Sequence, residues 1–82
     1  MARIPFIGGN WKCNGTMTFC KDMITKTLNK IDYDHSKVEV MFAPSAIHLA
    51  TAHSLMASHL ILSAQNCSKT GNGAFTGEVT AD

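Results

Sequence analysis

Short apolar runs alternate with longer helix-like patterns along the 82-residue chain. Residues 3–9 form the first apolar run, although Pro5 weakens its early part because proline cannot donate a ladder hydrogen bond. Residues 38–43 are apolar at every second position, and residues 60–64 form a third short apolar run. The pattern therefore predicts three strands.

Two helical patterns separate these runs. Residues 16–31 place apolar side chains on neighbouring helical rows, and Thr16 follows Gly15 as a suitable N-cap. A second helical pattern covers residues 45–58. Thr80 would suit the first position of a further helix, so we expect one to begin there.

The order strand-helix-strand-helix-strand predicts an α/β fold with parallel strands and right-handed crossovers, either a doubly wound sheet or a (β/α)8 barrel. Two crossovers of one hand put both helices on the same face of the sheet, unless the strand order reverses. Parallel sheets are normally covered on both faces. We therefore expect residues 1–82 to be the N-terminal part of one larger domain, truncated before its fourth strand.

Composition narrows the classes of protein. A hydrophobic fraction of 45% argues against disorder, and a formal charge of +1 gives no sign of nucleic-acid binding. No apolar run is long enough to span a membrane, and no secretory signal precedes the first strand, so we expect a cytoplasmic protein. Three cysteines without a Cys-x-x-Cys pair argue against a disulfide framework or a zinc site. His48 and His53 lie five residues apart and do not share a helix face, so no metal is expected.

Candidate chemistry lies where the predicted strands end, because α/β sheets bind ligands at their carboxyl ends. Asn10 and Lys12 alternate to one side of the first strand, and Trp11 faces the helical layer. A lysine there can hold a phosphate or carboxylate and stabilise negative charge on oxygen, while a solvated surface lysine is the plain alternative. The long polar segment 65–79 after the third strand is typical of either a functional or a disordered loop.

Three motifs follow the three strands: GGNWKCNG at 8–15, AQNC at 64–67 and GAFTGE at 73–78. In this order and spacing they resemble the triosephosphate isomerase family over essentially the whole chain. The resemblance implies a TIM barrel of about 250 residues, of which this chain would hold three strands, two helices and the following long loop. It also implies interconversion of dihydroxyacetone phosphate and glyceraldehyde 3-phosphate through an enediolate, in glycolysis and gluconeogenesis, without a cofactor or metal.

The resemblance assigns roles to two residues of the first motif. Asn10 matches the family's substrate-contacting asparagine, and Lys12 matches its catalytic lysine, whose cation binds substrate and stabilises charge on the triose oxygen. The family's glutamate base and neutral histidine electrophile lie on later strands. Neither Glu39 nor Glu78 corresponds to that base. We therefore expect residues 1–82 to be inactive alone.

The resemblance also implies a homodimer formed through the loop after the third strand. In the family this loop packs around the first strand-end loop of the partner. Thr76 matches the residue that hydrogen-bonds the partner's asparagine, here Asn10. Cys13 matches a position that the partner's loop encloses, and Glu78 matches an interface acid. Activity and assembly should then be coupled.

Two other interpretations stay open at this point. The chain could be a non-catalytic fragment that only associates through residues 11–14 and 66–79. It could also be an unrelated nucleotide-binding module, although residues 71–77 have one residue too many for the G-x-G-x-x-G spacing. Isomerase activity restored by adding a C-terminal portion would argue against the non-catalytic fragment. A lack of nucleotide affinity would argue against the nucleotide-binding module.

Overall fold

A computed structural model describes residues 3–82. Its sheet has three parallel strands in the order β1 (Phe6–Asn10), β2 (Glu39–Ala43) and β3 (Ile61–Leu62). The three predicted strands are confirmed, but all three are shorter than predicted, β2 by one residue. β1 begins only after Pro5, which lacks an N–H and contributes its carbonyl to Glu39 N at 2.9 Å. β3 begins after Leu60, whose N–H instead donates to Ala57 O in a turn.

The first helical segment has its predicted extent, but only its first part is α-helical. α1 (Met17–Asp22) is capped by Thr16, whose Oγ1 accepts from Phe19 N at 3.1 Å, as predicted. It continues as a π-helical stretch (Met23–Thr27) and a 3-10 turn (Leu28–Lys30). Thr25 Oγ1 donates to Lys21 O at 2.8 Å. That carbonyl is the α-helical acceptor of the Thr25 amide, so the hydroxyl competes with the regular ladder where the helix changes type.

The second helical segment is shorter than predicted. A 3-10 turn (Ala46–His48) leads into α2 (Leu49–Leu55), and the backbone is extended at Met56. The helix expected at Thr80 is absent from residues 80–82, where the Asp82 carboxylate accepts from Asn72 N at 3.1 Å. Between residues 3 and 82, no helix is long and apolar enough to cross a membrane.

Both helices pack on one face of the sheet, as the crossover argument predicts. The core there consists of five buried side chains from the helices, β2 and the turn before β3: Cys20, Ile24, Phe42, Ala52 and Leu60. On the opposite face, a Cβ at Gly8 would lie 3.0 Å from Met41 Cε and 3.1 Å from Phe6 Cε1, so these side chains flank the glycine. Phe6 is 56% exposed, so this face is uncovered around β1.

Candidate functional site

The carboxyl ends of the three strands meet at one edge of the sheet. Asn10 pairs with Ala43, and Phe42 pairs with Leu62. The ladder extends one residue beyond β1, because Trp11 N donates to Ala43 O at 3.0 Å. The segments after the strands therefore start side by side, as expected for parallel strands.

Lys12 adopts an unusual backbone conformation at this edge. Its φ is 55°, and no other non-glycine residue between 3 and 82 has a positive φ. The left-handed region costs a side-chain-bearing residue about 1–2 kcal/mol. The Asn10 side chain helps to hold this turn, since its Oδ1 accepts from Lys12 N at 2.7 Å. The two predicted site residues are thus in direct contact.

Aromatic packing anchors the turn beneath Lys12. The Trp11 indole meets Phe19 edge-on at 5.8 Å between ring centroids and lies 5.5 Å from the Phe42 ring. This places Trp11 towards the helical layer, as predicted. Asn14 closes the turn, because its backbone N and its Nδ2 both donate to Trp11 O, at 3.2 and 3.0 Å. The turn therefore rests on the core.

Two side chains that sequence reasoning left without a role reach Lys12. Gln65 Nε2 donates to Lys12 O at 2.8 Å and to Ala43 O at 3.0 Å, and Ser45 Oγ donates to Lys12 O at 3.1 Å. Ser45 follows β2, and Gln65 follows β3. Their positions just beyond strand ends were the available signal, since such side chains converge at one edge of a parallel sheet.

Glu39, His35 and His59 lie away from this edge. Glu39 pairs with Phe6, four residues and about 13 Å along the strand from Asn10. His35 and His59 stack at 4.6 Å in the connections that precede β2 and β3, at the amino ends of the strands. Between residues 3 and 82, no histidine or glutamate side chain hydrogen-bonds Asn10 or Lys12.

The remaining electrostatics are local. Hydrogen bonds from the Ser36 side chain and backbone lower the pKa of Asp34, and the charge of His35 adds to the effect. Burial raises the pKa of the Cys20 thiol. His48 is buried in the 3-10 turn before α2, whereas His53 is exposed. Within the described residues, no group of three or more histidine, cysteine or acidic side chains could hold a metal ion.

The loop after β3 folds back on itself. Ser68 N donates to Val79 O at 2.6 Å, and this contact closes the base of residues 69–78. A Cβ at Gly73 would lie 2.7 Å from Phe75 Cε2, so the exposed Phe75 ring would have to shift to make room for one. Three predicted interface residues are exposed: Cys13, Thr76 and Glu78.

The family model described as triosephosphate isomerase matches residues 5–82. A curated relative, the cytosolic triosephosphate isomerase of Oryza sativa subsp. japonica, is 43% identical over 83 residues. The match covers 100% of this chain and 32% of the relative. The chain thus spans about a third of the length of this relative.

Proposed function

The chain belongs to the triosephosphate isomerase family, and on this premise we propose that Asn10 and Lys12 form part of a site that interconverts dihydroxyacetone phosphate and glyceraldehyde 3-phosphate. The substrate is then a triose phosphate, and no cofactor or metal is needed. We also propose a cytoplasmic location, in keeping with the cytosolic relative from rice.

The observation that carries the proposal is the constrained conformation of Lys12. A lysine rarely occupies the left-handed region, which costs it about 1–2 kcal/mol. Strain of this kind persists where surrounding contacts over-determine the backbone, and it is concentrated at functional sites. Asn10, which contacts the Lys12 amide, is the second substrate-binding candidate.

The chemistry fits a cation at this point. Aldose–ketose isomerisation removes a proton from the carbon beside the carbonyl, and negative charge develops on the carbonyl oxygen. A fixed ammonium stabilises that charge and also attracts the substrate phosphate. Lys12 has this role in the proposal, and Asn10 supplies a polar contact to the substrate.

We propose that the base and the electrophile of the reaction come from outside residues 3–82. Glu39 lies at the far end of the strand from Asn10, and the stacked His35 and His59 lie beyond the same end of the sheet. We therefore propose that residues 1–82 are inactive alone and that the other strands of a TIM barrel supply these groups. The uncovered sheet face around Phe6 is the surface that those strands would close over.

A homodimer is part of the same proposal. The projecting segment 69–78 would pack against the partner's turn, with Thr76 near the partner's Asn10. Cys13 and Glu78 would be covered by this contact. All three interface candidates are exposed in the single chain, as the arrangement requires.

The experiment is a full-length chimera of residues 1–82 followed by the part of the rice relative beyond the match. We expect isomerase activity from the chimera and none from residues 1–82 alone. Lys12→Met should lower kcat/KM by about 10²–10³-fold with the fold retained, since it removes the charge and keeps much of the side-chain volume. Lys30→Met is the matched control, because Lys30 is an exposed lysine on the 3-10 turn of the helical layer.

Three outcomes would contradict the proposal. One is a folded chimera without activity, which would favour a chain that acts only by association. Another is near-normal turnover of Lys12→Met, which would remove the catalytic role of the lysine. The third is turnover by residues 1–82 alone.

A further inference from the structure

We propose that Gln65 is a positioning residue for Lys12, acting through the lysine carbonyl with Ser45 as its partner. The inference rests on the proposed function, because positioning matters only if the lysine cation takes part in the reaction. Gln65 does not contact the substrate in this proposal. It fixes the backbone from which the lysine side chain extends.

Both hydrogens of the Gln65 amide nitrogen are used in hydrogen bonds. A primary amide nitrogen has two hydrogens, and Gln65 Nε2 uses them on Lys12 O at 2.8 Å and Ala43 O at 3.0 Å. Lys12 O has two lone pairs, and it accepts from Gln65 and from Ser45 Oγ at 3.1 Å. Ala43 O also accepts two hydrogen bonds, one from Gln65 and one from Trp11 N at 3.0 Å.

These contacts hold Lys12 from both sides. The peptide before the residue is tied by Lys12 N to Asn10 Oδ1 at 2.7 Å, and the peptide after it by the two donors at its carbonyl. Fixing both peptide planes fixes φ and ψ, and with them the direction in which the side chain leaves the backbone. A residue with a φ of 55° needs such support, because the surrounding structure must over-determine the left-handed conformation.

Gln65 is suited to this position because it donates twice and joins three strand ends. From beyond β3, its amide donates to the carbonyl of Lys12 after β1 and to the carbonyl of Ala43 at the end of β2. Methionine has similar length and no donor. Ser45 supplies a single contact, so its loss should matter less.

The test uses the full-length chimera. Gln65→Met should lower kcat by about tenfold or more, because small displacements of a catalytic group cost up to about 10²-fold in rate. Ser45→Ala should lower kcat by about threefold, in proportion to the single donor removed. Gln65→Asn keeps both donors and shortens their reach, and it should give an intermediate loss. This milder variant keeps the test decisive if Gln65→Met does not fold.

Asn29→Leu provides the matched control for a purely structural amide. Asn29 Nδ2 donates to Leu55 O at 2.9 Å, and its Oδ1 accepts from Ala57 N at 2.7 Å, so it also joins two segments. These contacts lie in the helical layer, away from Lys12. The control should lower the melting temperature with kcat unchanged within about twofold, as for independent sites.

The readouts separate positioning from stability. The proposal requires a larger fall of kcat in the Gln65 variants than in Asn29→Leu, when the variants compared have lost the same amount of melting temperature. Gln65 variants that lose only thermal stability and keep kcat would overturn it. Failure of the proposed function is recognised separately, because the unmodified chimera or its Lys12→Met variant then gives the unexpected result.

Discussion

Because the backbone of Lys12 is left-handed, we predict that the Lys12→Gly variant is more stable than the Lys12→Ala variant. Both Lys12→Gly and Lys12→Ala remove the cation and the side-chain stem. They differ in that glycine enters the left-handed region freely, whereas alanine retains a Cβ. At the observed φ of 55°, the comparison isolates the cost of that conformation.

The magnitude follows from two opposing contributions. A side-chain-bearing residue in the left-handed region costs about 1–2 kcal/mol, and glycine avoids this cost. Glycine in turn gives the unfolded chain more conformational freedom, which destabilises the fold by about 0.5–1 kcal/mol. The net expectation is that Lys12→Gly exceeds Lys12→Ala by about 0.5–1 kcal/mol in free energy of unfolding.

Urea unfolding of the two variants in the full-length chimera provides the assay. Both variants must be compared at one protein concentration, because the stability of a dimer depends on it. Equal m-values show that the midpoints report stability. Both variants should also lose isomerase activity to the same extent, because both lack the ammonium group.

A result with Lys12→Ala equal to or more stable than Lys12→Gly would refute the reasoning. It would mean that the turn relaxes out of the left-handed region without cost. Gly9→Ala is a useful reference, because its Cβ would meet nothing within 4 Å and Gly9 is not among the positive-φ glycines. There the glycine should confer no such advantage over alanine.

Two further predictions concern ionisation and assembly. Ser36→Ala should raise the pKa of Asp34 towards its ordinary value, which an NMR titration of the Asp34 carboxyl checks; an unchanged pKa would contradict the assigned hydrogen bonds. Because the folded pKa is lowered, the stabilisation by this carboxylate is present above the ordinary aspartate pKa and is lost as pH falls through the lowered value. In the chimera, the alkylation of Cys13 should slow as the protein concentration is raised through the monomer–dimer transition, which sedimentation measures. Buried Cys20, whose thiol pKa is raised, should stay unmodified at every concentration. Labelling of Cys13 at one rate across that transition would argue against the proposed interface.

The sequence by itself determined the order and type of the main elements. The apolar periods that mark β1, α1 and β2 are local properties, and so is the Thr16 cap, which bonds an amide three residues away. The same local motifs, chiefly the run at residues 8–15, were sufficient for the family, which the match over residues 5–82 confirms. Element ends were less predictable, because the Thr25 hydroxyl competes with the helical ladder only in the folded geometry.

Only the tertiary structure decided how Lys12 is held. The residues that bond its carbonyl, Ser45 and Gln65, lie 33 and 53 positions further along the chain. No local pattern specifies such contacts, since they exist because parallel pairing brings the ends of three separate strands to one edge. The left-handed φ of Lys12 could not be read from the sequence, because a lysine has no intrinsic preference for that region. The contacts from Ser45 and Gln65 add to the local one from Asn10 in holding it there.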